Sequence, residues 1–209
     1  MKRLVTSFWY FVAALTACSS TRSSAPAGNV VNGSVDGVSL TTIGDAQGFL
    51  GPTTTGGAAV VFGLTDTSGF CAYMNNRPAN WCGPGAPPGS TVLLVGVDVP
   101  GAVALAPGTY AVGVSGQREG GFTAGTLAGF AKFEGACNAT PSAGRANPAS
   151  GTVTVSAASP AGLKGTFDLQ FLGGRLTGSF DVPVCGDVAF LNATSSANCV
   201  NNPPYCSFP

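Results

Sequence analysis

Residues 162–184 read GLKGTFDLQFLGGRLTGSFDVPV and carry the clearest structural pattern in the chain. Apolar residues or glycine occupy the odd positions from 163 to 171, and Lys, Thr, Asp and Gln occupy the even ones. After Gly173-Gly174 the parity inverts, so that apolar residues and glycine fall at even positions from 176 to 184. A period of two is typical of a strand with one buried face, and a Gly-Gly pair suits a two-residue hairpin loop. The segment therefore predicts an antiparallel β-hairpin.

A loop at Gly173-Gly174 also predicts a register for the two strands. The expected partners are Phe171 with Leu176, Phe167 with Phe180, Thr166 with Asp181, and Asp168 with Ser179. In this register every apolar side chain of the hairpin lies on one face. A slip of one residue would distribute these side chains over both faces.

Similar alternation recurs upstream of the hairpin, and no window shows a sustained apolar period of 3.6 residues. Predicted strands cover residues 35–42, 58–64, 91–99, 108–114, 127–133 and 151–157. Residues 91–99 are apolar on both faces apart from Asp98, which favours a central position in a sheet. With 31 glycines and 15 prolines between the strands, the chain is predicted to be all-β, an antiparallel β-sandwich or a barrel-like domain stapled by disulfides.

The N-terminus has the pattern of an export signal. Lys2 and Arg3 precede an uncharged run over residues 4–17, which is too short to span a bilayer because spanning needs about 20 helical residues. The run ends in Leu15-Thr16-Ala17-Cys18, which resembles the lipobox of bacterial lipoproteins. That resemblance implies removal of residues 1–17 as a signal peptide and lipidation of Cys18.

The same resemblance implies a location and a domain plan. Several acyl chains on Cys18 give a durable membrane anchor, whereas one chain binds only marginally. In lipoproteins of bacteria with two membranes, a residue other than Asp after the cysteine, here Ser19, implies sorting to the outer membrane. Residues 18–28 are then the lipidated Cys and a flexible tether. Residues 29–209 are a single β domain with an irregular C-terminal tail held by disulfides, located in the cell envelope.

The cysteine count agrees with this plan. Of seven cysteines, one is assigned to lipid, and the other six form an even set, as a disulfide framework in an oxidising compartment requires. The candidates are Cys71, Cys82, Cys137, Cys185, Cys199 and Cys206. Sequence alone does not choose among the possible pairings. Proximity along the chain favours Cys71–Cys82 and Cys199–Cys206, which leaves Cys137–Cys185.

Composition excludes several classes of function. The nine basic residues are balanced by nine acidic ones, so that no basic surface for a nucleic-acid partner is expected. The chain contains no histidine, which excludes Ser-His-Asp and Cys-His catalysis and His-ligated zinc. No catalytic residue, metal site or cofactor is predicted. Charged residues make up 9% of the chain, against about 25% in typical soluble proteins, a composition typical of cell-surface β proteins.

A pair of carboxylates is the one catalytic arrangement that the composition permits, since glycosidases work with two acids. The alternative function is therefore a carboxylate-based hydrolase that acts on envelope polysaccharide. The mature chain offers Asp36, Asp45, Asp66, Asp98, Glu119, Glu134, Asp168, Asp181 and Asp187. Asp98 stands out because it interrupts an apolar strand, which indicates either a buried, hydrogen-bonded acid or a position near the strand end.

The segment 70–82 is a candidate binding loop. If Cys71 and Cys82 pair, they close a loop that displays aromatic, amide and guanidinium groups, which suit recognition of a carbohydrate or protein ligand. The candidate residues are Tyr73, Asn75, Asn76, Arg77 and Trp81. The alternative is a stapled surface loop whose Trp81 packs on the core.

The three segments from Gly151, Gly165 and Gly178 resemble the C-terminal half of uncharacterised β-rich bacterial surface lipoproteins. That resemblance supports the β fold and implies no activity. The expected function is a non-catalytic, membrane-anchored envelope lipoprotein with a structural or binding role. A role as a subunit of a larger surface assembly, joined through an exposed sheet edge, is a further alternative.

Overall fold

The computed structural model describes residues 28–52, 57–75, 85–86, 89–99, 101–112, 125–133, 150–186 and 206–207. These residues form strands and one short helix. In chain order the elements are β1 (Val30–Val35), β2 (Asp45–Pro52), β3 (Ala58–Thr65), α1 (Phe70–Asn75), β4 (Gly85–Ala86), β5 (Thr91–Val99), β6 (Gly108–Ala111), β7 (Gly125–Lys132), β8 (Ser150–Ser159), β9 (Gly162–Phe171), β10 (Gly174–Gly186) and β11 (Cys206–Ser207). The predicted all-β fold is confirmed.

Within the described residues, nine strands form one curled mixed sheet, a half-barrel, which we divide into two parts that share β10. Sheet A has the order β6-β8-β9-β10, with β1 on the other edge of β10. Sheet B has the order β2-β3-β5-β7. The end of β10 joins sheet B by pairing in parallel with β2, whereas the other pairs are antiparallel. Strands β4 and β11 pair separately.

The inner faces of the two sheets meet in one apolar core. Phe62 of sheet B stacks on Phe180 of sheet A with ring centroids 4.0 Å apart, and Phe167 lies 6.3 Å from Phe62. Phe130 and Phe171 make a second contact between the sheets, at 6.4 Å. Apolar side chains of both sheets thus fill the space between them.

The predicted hairpin forms, but its register is wrong by two residues. Phe171 pairs with Gly174, so that the loop is Leu172-Gly173. Phe167 therefore lies opposite Gly178, and Phe180 lies opposite Gly165. A shift of two preserves the side of every residue, which is why the predicted buried face is correct.

Ring packing on glycine accounts for the observed register. A Cβ atom built at Gly178 would lie 2.6 Å from Cζ of Phe167, and one built at Gly165 would lie 2.5 Å from Cζ of Phe180. Each ring occupies the space above the glycine of the neighbouring strand, a pairing that stabilises strand glycines. The predicted register would have placed the two rings opposite each other, with neither ring over a glycine.

Other predicted strands correspond to observed ones, with one clear error. Residues 58–64, 91–99, 127–133 and 151–157 fall on β3, β5, β7 and β8, and 108–111 form β6. Strand β5 lies between β3 and β7, as its two apolar faces predicted. The strand predicted at 35–42 is wrong, because Asp36 and Gly37 have positive φ angles of 49° and 78° and turn the chain sharply. Asp-Gly is the sequence signature of such a turn.

Gly165→Ala tests the ring-on-glycine packing. The added methyl would meet the Phe180 ring and, at 2.0 Å, the backbone oxygen of Thr154, so we expect the free energy of unfolding to fall by about 2–3 kcal/mol. Gly108→Ala in β6 is the matched control, since its Cβ would meet only Tyr110 at ordinary contact distance, 3.7 Å. Urea unfolding of both variants measures the difference; equal stabilities would contradict the packing argument.

Candidate functional site

The outer face of sheet B is also apolar, and α1 covers part of it. Phe49, Val61, Leu94 and Phe133 contribute to this second core, together with Phe70 and Met74 of the helix. All eight residues of β3 are buried as a result. We call this region the α1 face. It contains the chemistry that the sequence singled out around Cys71, so it is the candidate functional site.

A glycine in β3 provides the space for the helix. The Phe70 ring lies over Gly63, where an added Cβ would come 2.2 Å from Cε1 of Phe70. Phe49 meets the same ring edge-on, with centroids 6.4 Å apart. Because Phe70 is the first residue of α1 and fully buried, it fixes where the helix begins on the sheet.

Asp45 at the start of β2 fixes the helix from the other side. Its Oδ2 accepts hydrogen bonds from the backbone N–H groups of Gly69 and Phe70, at 3.0 and 2.8 Å. Its Oδ1 accepts from the Ala46 N–H and from Nε2 of Gln47, each at 2.8 Å. A carboxylate at the N-terminus of a helix satisfies N–H groups that have no partner within the helix. Asp45 is thus a buried structural acid, a role that its sequence context did not indicate.

The third attachment is a disulfide between Cys71 of α1 and Cys185 of β10, whose Cα atoms are 5.8 Å apart. The predicted pairings Cys71–Cys82 and Cys137–Cys185 are therefore wrong. The two paired cysteines are 114 residues apart in sequence, and the fold, rather than the chain, brings them together. In the chain-entropy account, closing a loop of this length as the only crosslink stabilises by about 4–5 kcal/mol. The predicted pair Cys199–Cys206 stays a prediction, because Cys206 lies in β11 but Cys199 lies outside the described residues.

The candidate binding loop is not closed by a Cys71–Cys82 bond, because Cys71 pairs with Cys185. Tyr73 is half-buried and packs against the α1 face. Asn75 is exposed, and its Nδ2 donates to the Sγ atoms of both Cys71 and Cys185, at 3.5 Å each. Both side chains therefore belong to the attachment of the helix. Asn76, Arg77 and Trp81 lie outside the described residues.

Asp98 is the unusual acid among the described residues. It is the penultimate residue of β5, as one of its two predicted explanations held, and it points to the outer face of sheet B with Leu94. Its Oδ1 is buried and accepts no hydrogen bond within the part of the chain that the structure describes. Burial raises the pKa of this carboxyl above its ordinary value.

The other described acids take part in turns, hydrogen bonds or ion pairs. Asp66 accepts from the Thr91 N–H, and Asp36 occupies a turn. On the outer face of sheet A, Asp168 binds Arg175 and Asp181 binds Lys164. The Arg175 guanidinium lowers the pKa of Asp168. Glu119, Glu134 and Asp187 lie outside the described residues, as does Cys18.

Metal ligands do not converge in the described part of the chain: no group of three or more Cys, Asp or Glu side chains there is placed to hold an ion. No described helix is long and apolar enough to cross a membrane. No protein-family model, curated protein or solved structure matches this chain. Inferences about function therefore depend on its own residues.

Asp45→Asn tests the role of the buried acid. Each carboxylate oxygen of Asp45 accepts two of the four hydrogen bonds, whereas an Asn side chain has only one oxygen. At least two donors therefore lose their acceptor, and an unsatisfied buried donor costs about 1–3 kcal/mol. We expect a corresponding loss in the free energy of unfolding, measured by urea denaturation. Asp66→Asn is the control, because the amide oxygen still accepts from the Thr91 N–H. An equal loss in both variants would contradict the assignment.

Asp98→Asn tests the cost of burying the Asp98 carboxylate, whose Oδ1 accepts no hydrogen bond from the described residues. A folded-state pKa above the unfolded value means that the folded state binds more protons, so stability falls as pH rises from the unfolded pKa through the folded one. We expect the variant to have a higher Tm than the wild type at pH 7 and an equal Tm at pH 3. Asp168→Asn should behave oppositely, because Arg175 lowers the pKa of Asp168 and its ionised form is favoured in the folded state. A lower Tm for Asp98→Asn at pH 7 would refute this account.

Proposed function

We propose that this protein is a lipid-anchored lipoprotein of the bacterial envelope, whose β domain has a structural or binding role and no catalysis of its own. The observation that carries the proposal is the Cys71–Cys185 disulfide. Disulfides persist in exported proteins and are rare in the reducing cytosol. The bond therefore supports export, which is also what the lipobox ending at Cys18 implies.

The placement of the described acids supports a non-catalytic role. A carboxylate-based hydrolase needs two acids that face each other across a substrate, about 5–10 Å apart. Asp45 already accepts four hydrogen bonds, and Asp168 and Asp181 each bind a cation on the outer face of sheet A. Asp98 lies on the outer face of the other sheet. No observation among the described residues favours the hydrolase.

The filled interior also determines where a ligand or partner would bind. Phe62, Phe180 and their neighbours occupy the space between the sheets, so binding would use the outer surfaces rather than a central cavity. The outer face of sheet A is polar, with Thr109, Thr154 and Thr166 side by side on neighbouring strands. A carbohydrate or protein ligand on an outer surface is consistent with the low charge of the chain.

Cys18→Ser tests the anchor in the full-length chain. We expect the wild type to incorporate labelled palmitate and to fractionate with the outer membrane, because acylated Cys18 is its anchor. The Cys18→Ser variant should lose both the label and the membrane association. Ser19→Asp is the matched variant: it should keep the label and move to the inner membrane. Palmitate that remains on Cys18→Ser would contradict the proposal.

A further inference from the structure

The joint between the two sheets has few hydrogen-bonded residue pairs. Among the described residues, only Val184–Gly48 and Gly186–Phe49 pair β10 with β2, and the register is irregular between them. Pro183 comes immediately before this joint and has no N–H to donate. The main-chain contribution to holding sheet A on sheet B is therefore small at the place where one strand passes between them.

A second connection, made of hydrogen bonds and the disulfide, spans the same joint. Asp45 of β2 holds the start of α1 through two backbone N–H groups, and Cys71 of α1 holds β10 through Cys185. The helix has six residues, too few to be stable alone, since isolated helices need about 12–15. Its position therefore depends on these attachments and on the Phe70 ring. The disulfide completes a ring of contacts that runs from β2 through α1 to β10 and back to β2.

We propose that the Cys71–Cys185 disulfide is a redox-sensitive latch. While it is oxidised, it holds the end of β10 and the helix against sheet B. Reduction by a dithiol separates the helix from β10, loosens the joint between β10 and β2, and uncovers apolar side chains of the α1 face. This inference does not depend on the lipid anchor.

The surroundings of the bond suit exchange with a dithiol. Both cysteines are half-buried rather than fully buried. A thiolate of the reductant attacks one sulfur, the Cys71–Cys185 bond breaks, and the other sulfur leaves as a thiolate and takes up a proton. The second thiol of the reductant then attacks the mixed disulfide. Two cysteine thiols remain on the protein, and the reductant is released as its own disulfide.

Asn75 has a place in this exchange. Its Nδ2 lies 3.5 Å from both sulfurs and can donate a hydrogen bond to whichever sulfur leaves as the thiolate. Stabilising the leaving thiolate accelerates exchange, because the leaving group's basicity limits the rate. Gly186 permits this arrangement, since a Cβ there would lie only 3.2 Å from Oδ1 of Asn75. Asn75 is thus a positioned donor for the opening of the latch.

Hydrogen exchange measured by mass spectrometry tests the latch in the full domain. Because dithiothreitol reduces every accessible disulfide, a Cys71→Ser/Cys185→Ser double variant isolates this one. We expect the variant, kept oxidised, to lose amide protection at residues 45–50 and 184–186 and to bind more of an apolar dye. Residues 162–180 of the hairpin should keep their protection and serve as the internal control. Undiminished protection at the joint would overturn the proposal, and so would an equal loss throughout the hairpin.

Reduction of the folded wild type keeps the proposal testable if the double variant does not fold. The protein is treated briefly with dithiothreitol, alkylated and analysed by peptide mapping. Molecules in which Cys71 and Cys185 are both alkylated are those in which this disulfide was reduced. These molecules should show the same local loss of protection at residues 45–50 and 184–186. Full protection in them would overturn the latch.

The role of Asn75 has its own measurement. Asn75→Leu removes the donor, and we expect the rate of reduction of Cys71–Cys185 to fall roughly 3- to 10-fold, as the loss of one hydrogen bond implies. Asn75→Gln keeps an amide and should recover part of the rate. An unchanged rate in Asn75→Leu would contradict the donor role, since a purely structural contact does not change the basicity of the leaving thiolate.

Discussion

Strand β10 pairs with strands of both sheets, and the rest of the structure depends on this double pairing. Its first part pairs with β9 on one edge and with β1 on the other. Its end leaves sheet A and pairs in parallel with β2 of sheet B. Because a single strand passes from one sheet to the other, the two sheets form one curled half-barrel. The core forms in the space that this curvature encloses.

Glycine and phenylalanine act together at the places where elements approach closely. Phe167 and Phe180 lie over glycines of neighbouring strands in sheet A, and Phe70 lies over Gly63 in sheet B. In each case the missing side chain of glycine makes room for a ring, which brings apolar surface closer than an alanine would permit. The stacking of Phe62 on Phe180 then carries this packing across the core. The abundance of glycine thus serves packing as well as turns.

The alternation of apolar and polar residues predicted which face of a strand is buried. It did not predict contacts between residues that are far apart in the chain. The faces of β9 and β10 and the central position of β5 follow from the period of two and from apolar residues on both faces. Alternation is unchanged by a shift of two, so it could not fix the hairpin register, which the rings over Gly165 and Gly178 decide. The helix at 70–75 has too few residues to show a helical period, and Phe70 looks like any apolar residue until Gly63 lies beneath it. The partner of Cys71 depends on the crossing of β10 to sheet B, which no local pattern contains.

The route from the proposed anchor to the domain also leads to β10. Gly28 and Asn29, where the described chain begins, are attached to this strand: Ser179 donates to the Gly28 carbonyl at 2.7 Å, and the Asn29 side chain bonds the backbone of Asp181 in both directions. Strand β1 follows and runs antiparallel to β10 over six residue pairs. Under the proposed function, a pull directed along β1 would load these six pairs in shear instead of opening them singly. The strand that receives this load also pairs with β9 and β2 and contains Cys185, so the N-terminal end of the described chain is attached to the strand that joins the two sheets.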